Sequence, residues 1–314
     1  MKSARKIHVL IVAKPWHGGL HQYYVNAFKR SGICSVKIIY SYPNTFKEYL
    51  RYKLNKKLWL EKKIEEINLT NYDLGFFINT EEILSKVLKN NNYLYLTDNP
   101  SDIKIKSNNI NKIFLSDIGY LKKMKAQHNN IEELAFGIDP FIHKSHDYHG
   151  TKKPICSIMN KDYARDELIK ALLDRSFKLD IYGNYFFKHK FFFKNPLLFH
   201  PPVPFTKQGN VYSKYLISLN IHAGILRNGT NMRTFELCGY KLAQIVNFRP
   251  GLENFFEPGK EIMIFSEIEE CIDKFKMILK DKKIYNKLIE ASNKRALSHH
   301  TYDIRVKQIL FDYL

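Results

Sequence analysis

Between residues 6 and 136 short β-rich apolar runs alternate with helical patterns, and after one polar interruption the alternation starts again; no other feature restricts the fold as strongly. Residues 6–13, 36–42, 72–78, 93–97, 112–116 and 133–136 read as strands, several of them apolar without a break, as strands covered on both faces are. Helical patterns such as 20–30 and 81–89 lie between them. Alternation of this kind predicts a parallel sheet with crossover helices.

The segment 144–154, with His146, Asp147, Gly150 and the pair Lys152-Lys153, reads as a turn-rich linker. Beyond it, strands are expected at 155–159, 178–182, 216–222, 242–247 and 261–265, with helices at 164–175, 231–239 and 268–280. A chain of 314 residues suits two domains, here 1–148 and 149–314, the last helix being able to pack back on the first domain. The expected class is α/β, with two Rossmann-like domains facing a cleft. Ligands of such sheets bind beyond the carboxyl ends of the strands, so the chemistry is sought in the loops that follow them.

Composition narrows the partners. Apolar and charged fractions of 45% and 26% are those of an ordinary globular protein, and no apolar run reaches the length of about 18 residues that spans a bilayer. The start Lys2-Ser3-Ala4-Arg5-Lys6, followed by apolar 7–13, superficially resembles a signal peptide. It runs into Lys14-Pro15-Trp16-His17 without a small-residue cleavage site, which favours a buried first strand. Cys34, Cys156, Cys238 and Cys271 form no C-x-x-C pair, which suits reduced thiols in a cytosol and offers no zinc site. A net charge of +19 attracts polyanions, and nucleic acid, an anionic membrane surface and a nucleotide diphosphate all qualify.

After the strand at 216–222, a loop with Gly224, Arg227, Asn228 and Gly229 leads into a helix beginning near Asn231. A helix start offers unpaired N–H groups and a positive dipole end, and Arg227 and Arg233 add full charges, so a diphosphate can sit there. Glu236, one turn in, can accept hydrogen bonds from a pair of ribose hydroxyls. An ordinary capped helix with surface charges explains the same spacing equally well.

Three segments in order, Arg233-x-Phe235-Glu236-x-x-Gly239, then the run from Gly251-Leu252-Glu253 to Gly259-Lys260-Glu261, then His300-Thr301-Tyr302-x-x-Arg305, resemble the C-terminal domain of the spore-maturation (CgeB-like) glycosyltransferases. Asp166-Glu167-Leu168 leading to Ile181-Tyr182-Gly183 fits the same pattern. The resemblance implies a GT-B fold, with the donor held mainly by the C-terminal domain and the acceptor by the N-terminal one. It implies Glu236 on the donor ribose, Arg233, Asn231 and the neighbouring Thr234 near the phosphates or sugar, and the turn at Tyr182-Gly183 near the base. Many retaining GT-B enzymes carry an acidic residue eight positions before this glutamate, where this chain has the uncharged Asn228.

In the first domain, His17, Gly18 and Gly19 follow the first strand. The glycines allow close approach of a ligand to a helix start, and a histidine titrates near neutrality, so His17 is the candidate base beside Glu236. A histidine packed in the turn is an equal alternative. Asp98, in Thr97-Asp98-Asn99-Pro100, is the acidic runner-up, with a plain turn favoured for it. No Asp-x-Asp motif or ligand-spaced His/Cys/carboxylate cluster occurs, so neither metal nor cofactor is expected beyond the nucleotide-sugar donor.

Two basic-aromatic stretches, 46–63 and 185–199, suit either an anionic membrane surface or core packing rimmed by lysines. The expectation is therefore a metal-independent, cytoplasmic, peripherally membrane-associated transferase that moves a sugar from a nucleotide donor to a glycan or lipid-linked acceptor. A nucleic-acid-binding protein and a sugar-nucleotide epimerase of the same fold are the alternatives.

Overall fold

The computed structural model describes residues 5–15, 18–97, 109–126 and 128–313. Two compact units divide the chain, one running to Ala135 and including Tyr302 onward, the other Phe136–Thr301.

The first unit is built on β1 (Ile7–Ala13), β2 (Cys34–Tyr40), β3 (Leu74–Ile78), β4 (Asn92–Leu96), β5 (Ile110–Leu115) and β6 (Ile131–Glu133). They form one parallel sheet in the order β2-β1-β3-β4-β5-β6. Every residue of β3 and β4 is buried, which is why their sequences show no polar alternation. Around the sheet lie α1 (Leu20–Arg30), α2 (Phe46–Leu54), α3 (Lys56–Leu69), α4 (Glu81–Leu84) and α5 (Leu121–Lys125). Leu20, Tyr23, Tyr24, Ala27 and Phe28 repeat every three or four residues and form the buried face of α1.

The helix expected at 81–89 stops at Leu84. The chain leaves the helix so that Val87 can enter the core, and the Leu88 amide donates to Asn68 Oδ1 at 3.0 Å instead of continuing a helical ladder.

The second unit contains β7 (Lys153–Ile158), β8 (Asp180–Tyr182), β9 (Phe199–His200), β10 (Tyr215–Asn220), β11 (Ala243–Asn247) and β12 (Met263–Phe265), again all parallel, in the order β12-β11-β10-β7-β8-β9. This is the Rossmann order, with β7 and β10 as the central pair where the winding reverses. Its helices are α6 (Tyr163–Asp174), α7 (Lys190–Lys194), α8 (Gln208–Tyr212), α9 (Met232–Gly239), α10 (Ile268–Lys280) and α11 (Lys282–His299). Asp281 separates the last two by capping the Lys283 and Ile284 amides at 2.7 and 3.2 Å. The unit begins ahead of the polar segment 144–154, because Ile138 already pairs with Thr301 and donates its amide to His300 O.

The last helix, α12 (Tyr302–Ile309), belongs to the first unit. Tyr302 stacks on Tyr23 at 5.2 Å, Asp303 pairs with Arg30 at 2.8 Å, and buried Arg305 donates to Ala135 O at 2.9 Å. Tyr302 and Arg305 of the third sequence segment are thus fastenings. His300 has a similar task in the second unit, where its Nε2 lies 3.0 Å from Phe255 O.

The two basic-aromatic stretches differ. In 185–199, Tyr185, Phe191, Phe192 and Phe199 join the core. In 46–63, α2 buries nothing, Phe46 and Leu54 are 76% and 86% exposed, and α3 buries only Trp59 within that stretch. All four cysteines are free and buried.

Candidate functional site

At the central pair of the second sheet, the loops after β7 and β10 are tied together by residues of α6. Arg165 donates from Nε to Ile221 O at 2.8 Å and from Nη1 to Asn160 O at 2.9 Å. Asp162, the N-cap of α6, accepts from Ala164 N and Gly224 N, both at 3.1 Å. These bonds fix where the loop from Ala223 to Thr230 leaves the sheet. Neither residue stands out in the sequence, although an aspartate before a helical run is an N-cap signal.

Asn231 starts α9. Its Oδ1 accepts from Thr234 N at 3.0 Å, and its Nδ2 donates to Asn220 Oδ1 at 2.8 Å. Thr234 is buried, with its hydroxyl 3.1 Å from Asn231 Oδ1 and 3.1 Å from Asn220 Nδ2. Both side chains therefore hold the helix start against the end of β10. Beside them His222 lies 3.0 Å through Nδ1 from Asn247 Oδ1, fully buried.

The three faces of α9 account for the pattern Arg-x-Phe-Glu-x-x-Gly. Phe235 packs among Phe255, Phe256 and His300. Glu236, 3% exposed, receives Arg233 Nη1 on Oε2 at 2.9 Å and faces His143 Nε2 through Oε1 at 3.6 Å. Arg233 also donates to Gln208 Oε1 and lies over the Tyr212 ring at 5.7 Å, so its guanidinium is turned toward α8. Gly239 passes so close to the His143 backbone that a Cβ would stand 2.6 Å from His143 O.

His143 is the site residue that sequence inspection does not reveal, since nothing in its neighbourhood follows a motif. Its Nδ1 accepts from Asp139 N at 2.9 Å, which leaves the ring proton on Nε2, directed at Glu236. Burial, with a smaller push from Arg233 and against the pull of Glu236, brings its pKa down to about 4. His222 is likewise at about 4, from burial against its bonds to Asn247.

Both rings are neutral in the folded protein near pH 7, whereas the unfolded chain protonates them near 6.5. The stability they contribute is complete above pH 6.5 and is lost as the pH falls toward 4, by at most about 1.4 kcal/mol per pH unit for each ring. Denaturant titrations at pH 7 and pH 5 should show this loss, and His222→Gln should remove its share. An equal loss in wild type and variant would contradict it.

Other sequence candidates are placed as follows. Arg227 is exposed and Asn228 half-buried on the loop before α9, and the Asn228 carbonyl lies against Gly251, where any Cβ would overlap it. That close approach explains the glycine opening the second motif segment. Gly183 follows β8 and lies against the Met159 carbonyl in the same way, while Tyr182 stacks on His200 at 4.4 Å and reaches Tyr215 Oη at 2.9 Å. Asp166 is used internally, accepting from Tyr185 Oη at 2.6 Å.

In the first unit, Gly18 and Gly19 precede α1, Gly19 being left-handed with φ of 81° and no side-chain cap. His17 and Asp98 lie outside the described residues. A cavity of about 250 Å³ opens at the carboxyl ends of β1, β3 and β4, lined by Lys14, His21, Tyr42, Asn79 and Thr97 among others. His21 is buried there, with Nδ1 making no hydrogen bond among the described residues.

Residues 165–311 match the family described as glycosyl transferase-like. Sucrose-phosphate synthase from Thermosynechococcus elongatus is similar in structure, with a TM-score of 0.72 at 12% identity over 98% of both chains. A glycosyltransferase from Rickettsia africae gives 0.69 at 13% identity over 99% of this chain and 98% of the other. Anabaena HepE, solved with UDP and glucose, gives 0.68 at 10% identity over 98% and 99%. At such identities the structural likeness shows the fold. No curated protein matches the chain in sequence. The family match covers most of the second unit and marks it as glycosyl transferase-like, and the whole chain has the two-sheet GT-B fold of the glycosyltransferase structures it resembles.

Proposed function

We propose that the chain moves a sugar from a nucleoside diphosphate donor, bound at the carboxyl edge of the second sheet, to a glycan or lipid-linked acceptor bound by the first unit, without a metal. The observation that carries this reading is Glu236, a buried carboxylate one turn into α9, with one oxygen bonded to Arg233 and the other facing neutral His143. A carboxylate fixed in this way is oriented for a pair of ribose hydroxyls at little entropic cost. The exposed Arg227 and the amino end of α9 would meet the diphosphate charge, and Gly183 would lie near the base. Anabaena HepE, solved with UDP, makes UDP the first nucleotide to try. The three motif segments, all within the matched region, favour a relation to the spore-maturation (CgeB-like) enzymes.

On the acceptor side, the cavity lined by His21 and Lys14 is the candidate pocket, with Gly18 and Gly19 letting a substrate approach α1. If His17 is the base, it acts from the same loop. Incubation with UDP-glucose, UDP-galactose and UDP-N-acetylglucosamine should release UDP from at least one, faster in the presence of a glycan acceptor. An isomerised nucleotide sugar with no UDP released would support the epimerase alternative instead.

No helix among the described residues is long and apolar enough to cross a membrane. Helix α2 nevertheless presents Phe46, Leu50 and Leu54 to solvent beside Lys47, Arg51 and Lys53, a combination suited to an anionic membrane surface. Vesicles rich in phosphatidylglycerol should sediment the wild type and not Leu54→Glu. Equal sedimentation of both, or of neither, would remove this surface from the proposal.

A further inference from the structure

A second cavity in the second unit, about 320 Å³, is lined in part by Tyr212, whose ring the Arg233 guanidinium overlies at 5.7 Å, and by Tyr240, whose ring lies 5.4 Å from that of His143. Among its lining residues Lys152 directly precedes β7, Ser213 comes just before β10, and Leu242 directly precedes β11. Because these strands are parallel, the cavity sits at the amino edge of the sheet, whereas the loop before α9 leaves from the carboxyl edge.

Its chemistry is specific. Tyr212 is 1% exposed, lines the cavity, and its hydroxyl makes no hydrogen bond among the described residues. A buried hydroxyl without a partner is costly, and a ligand hydroxyl that reached it would supply the missing bond. Tyr240 and Tyr285 supply aromatic surface beside it, and Ser213, Asp147 and Lys152 bring both donors and acceptors to the rim. A side chain at Gly209 would meet the ring of exposed His146, another part of the lining, which would have to turn aside. Aromatic faces mixed with hydroxyl, carboxylate and ammonium groups recognise a polyhydroxylated ring, which offers C–H faces for stacking and hydroxyls that both donate and accept. The volume is at the lower end of the roughly 300–1,000 Å³ range of small-ligand sites.

We propose that this cavity is a second carbohydrate site, taking a sugar unit of a glycan against Tyr285 and Tyr240 with one hydroxyl bonded to Tyr212 Oη. Its lining does not include Glu236, and it does not depend on the role given to that residue. A site of this kind would retain a glycan chain on the enzyme between transfers.

The test is saturation-transfer NMR with cellotetraose, maltotetraose and chitotetraose on the full chain, comparing wild type with Tyr212→Phe, Ser213→Trp and Glu236→Gln. At least one tetrasaccharide should bind wild type and Glu236→Gln alike, about five-fold more weakly to Tyr212→Phe, and not to Ser213→Trp. Tyr212→Phe removes only an oxygen, and its melting temperature should equal or exceed that of wild type, so weaker binding by it cannot be ascribed to unfolding. The site is refuted if no tetrasaccharide binds, if Tyr212→Phe and Ser213→Trp both bind as wild type, or if Glu236→Gln alone loses binding. Failure of the donor reading would show separately, as nucleotide sugars left unturned by a protein that still binds the saccharide here.

Discussion

Glu236→Gln should lower kcat/KM for the nucleotide-sugar donor by about 10- to 100-fold, the value of one or two hydrogen bonds to a charged acceptor at about 1.5–3 kcal/mol. The substitution preserves shape, and Arg233 keeps Gln208 as a partner, so the fold should survive with only a modest change in melting temperature. The loss should fall mainly on KM, because ribose contacts are made in both ground and transition states. A variant with unaltered kcat/KM would remove Glu236 from the donor site.

Gly239→Ala should be nearly as damaging for a different reason. The added Cβ would lie 2.6 Å from His143 O and 2.8 Å from His143 Cβ, both closer than real Cβ atoms come. The opposing segment cannot easily retreat, since the His143 amide bonds Asp139 O at 2.8 Å and Ile138 bonds His300 O at 2.8 Å. Overpacking of this kind costs about 1–3 kcal/mol. It would also move His143 from Glu236, so donor turnover should fall with stability. Gly224→Ala is the control, because its Cβ would meet only ordinary contacts at 3.7 and 3.8 Å and should leave stability nearly unchanged. If the two alanine variants melted together, the close packing of α9 on the His143 segment would be wrong.

The fold was legible where burial on both faces writes itself into composition. β3 shows no polar residue and β4 none after Asn92, because every residue of both is buried, and α1 and α10 show the three-to-four spacing of a single buried face. β9, two residues long, is too short for any periodic signal. α11 exposes much of its length, and its polar sequence hides an 18-residue helix that tertiary contacts stabilise.

At the site, the segment 228–239 was visible because helix capping, a close-approach glycine and a carboxylate fall within one short run. His143 was not, because its role comes from a chain crossing nearly a hundred residues away in sequence. The same holds for Gln208 and Tyr212, which meet Arg233 only through the packing of α8 beside α9. Conversely, Asn231 and Thr234 were read as ligand contacts from their position. Their side chains are bonded to Asn220 and to each other, which suits them to hold the helix start on which a ligand would rest.

The most direct test of a nucleotide site at the carboxyl edge of the second sheet is a thermal-shift series with UDP, GDP, CMP and TDP. A ligand that binds only the folded state at a hundred times its Kd adds about 2.7 kcal/mol of stability, enough to move the transition by several degrees. The expected result is a clear upward shift with one nucleotide, UDP being the first candidate, that is reduced in Glu236→Gln. A wild-type protein whose melting temperature is moved by none of the four would contradict the proposal.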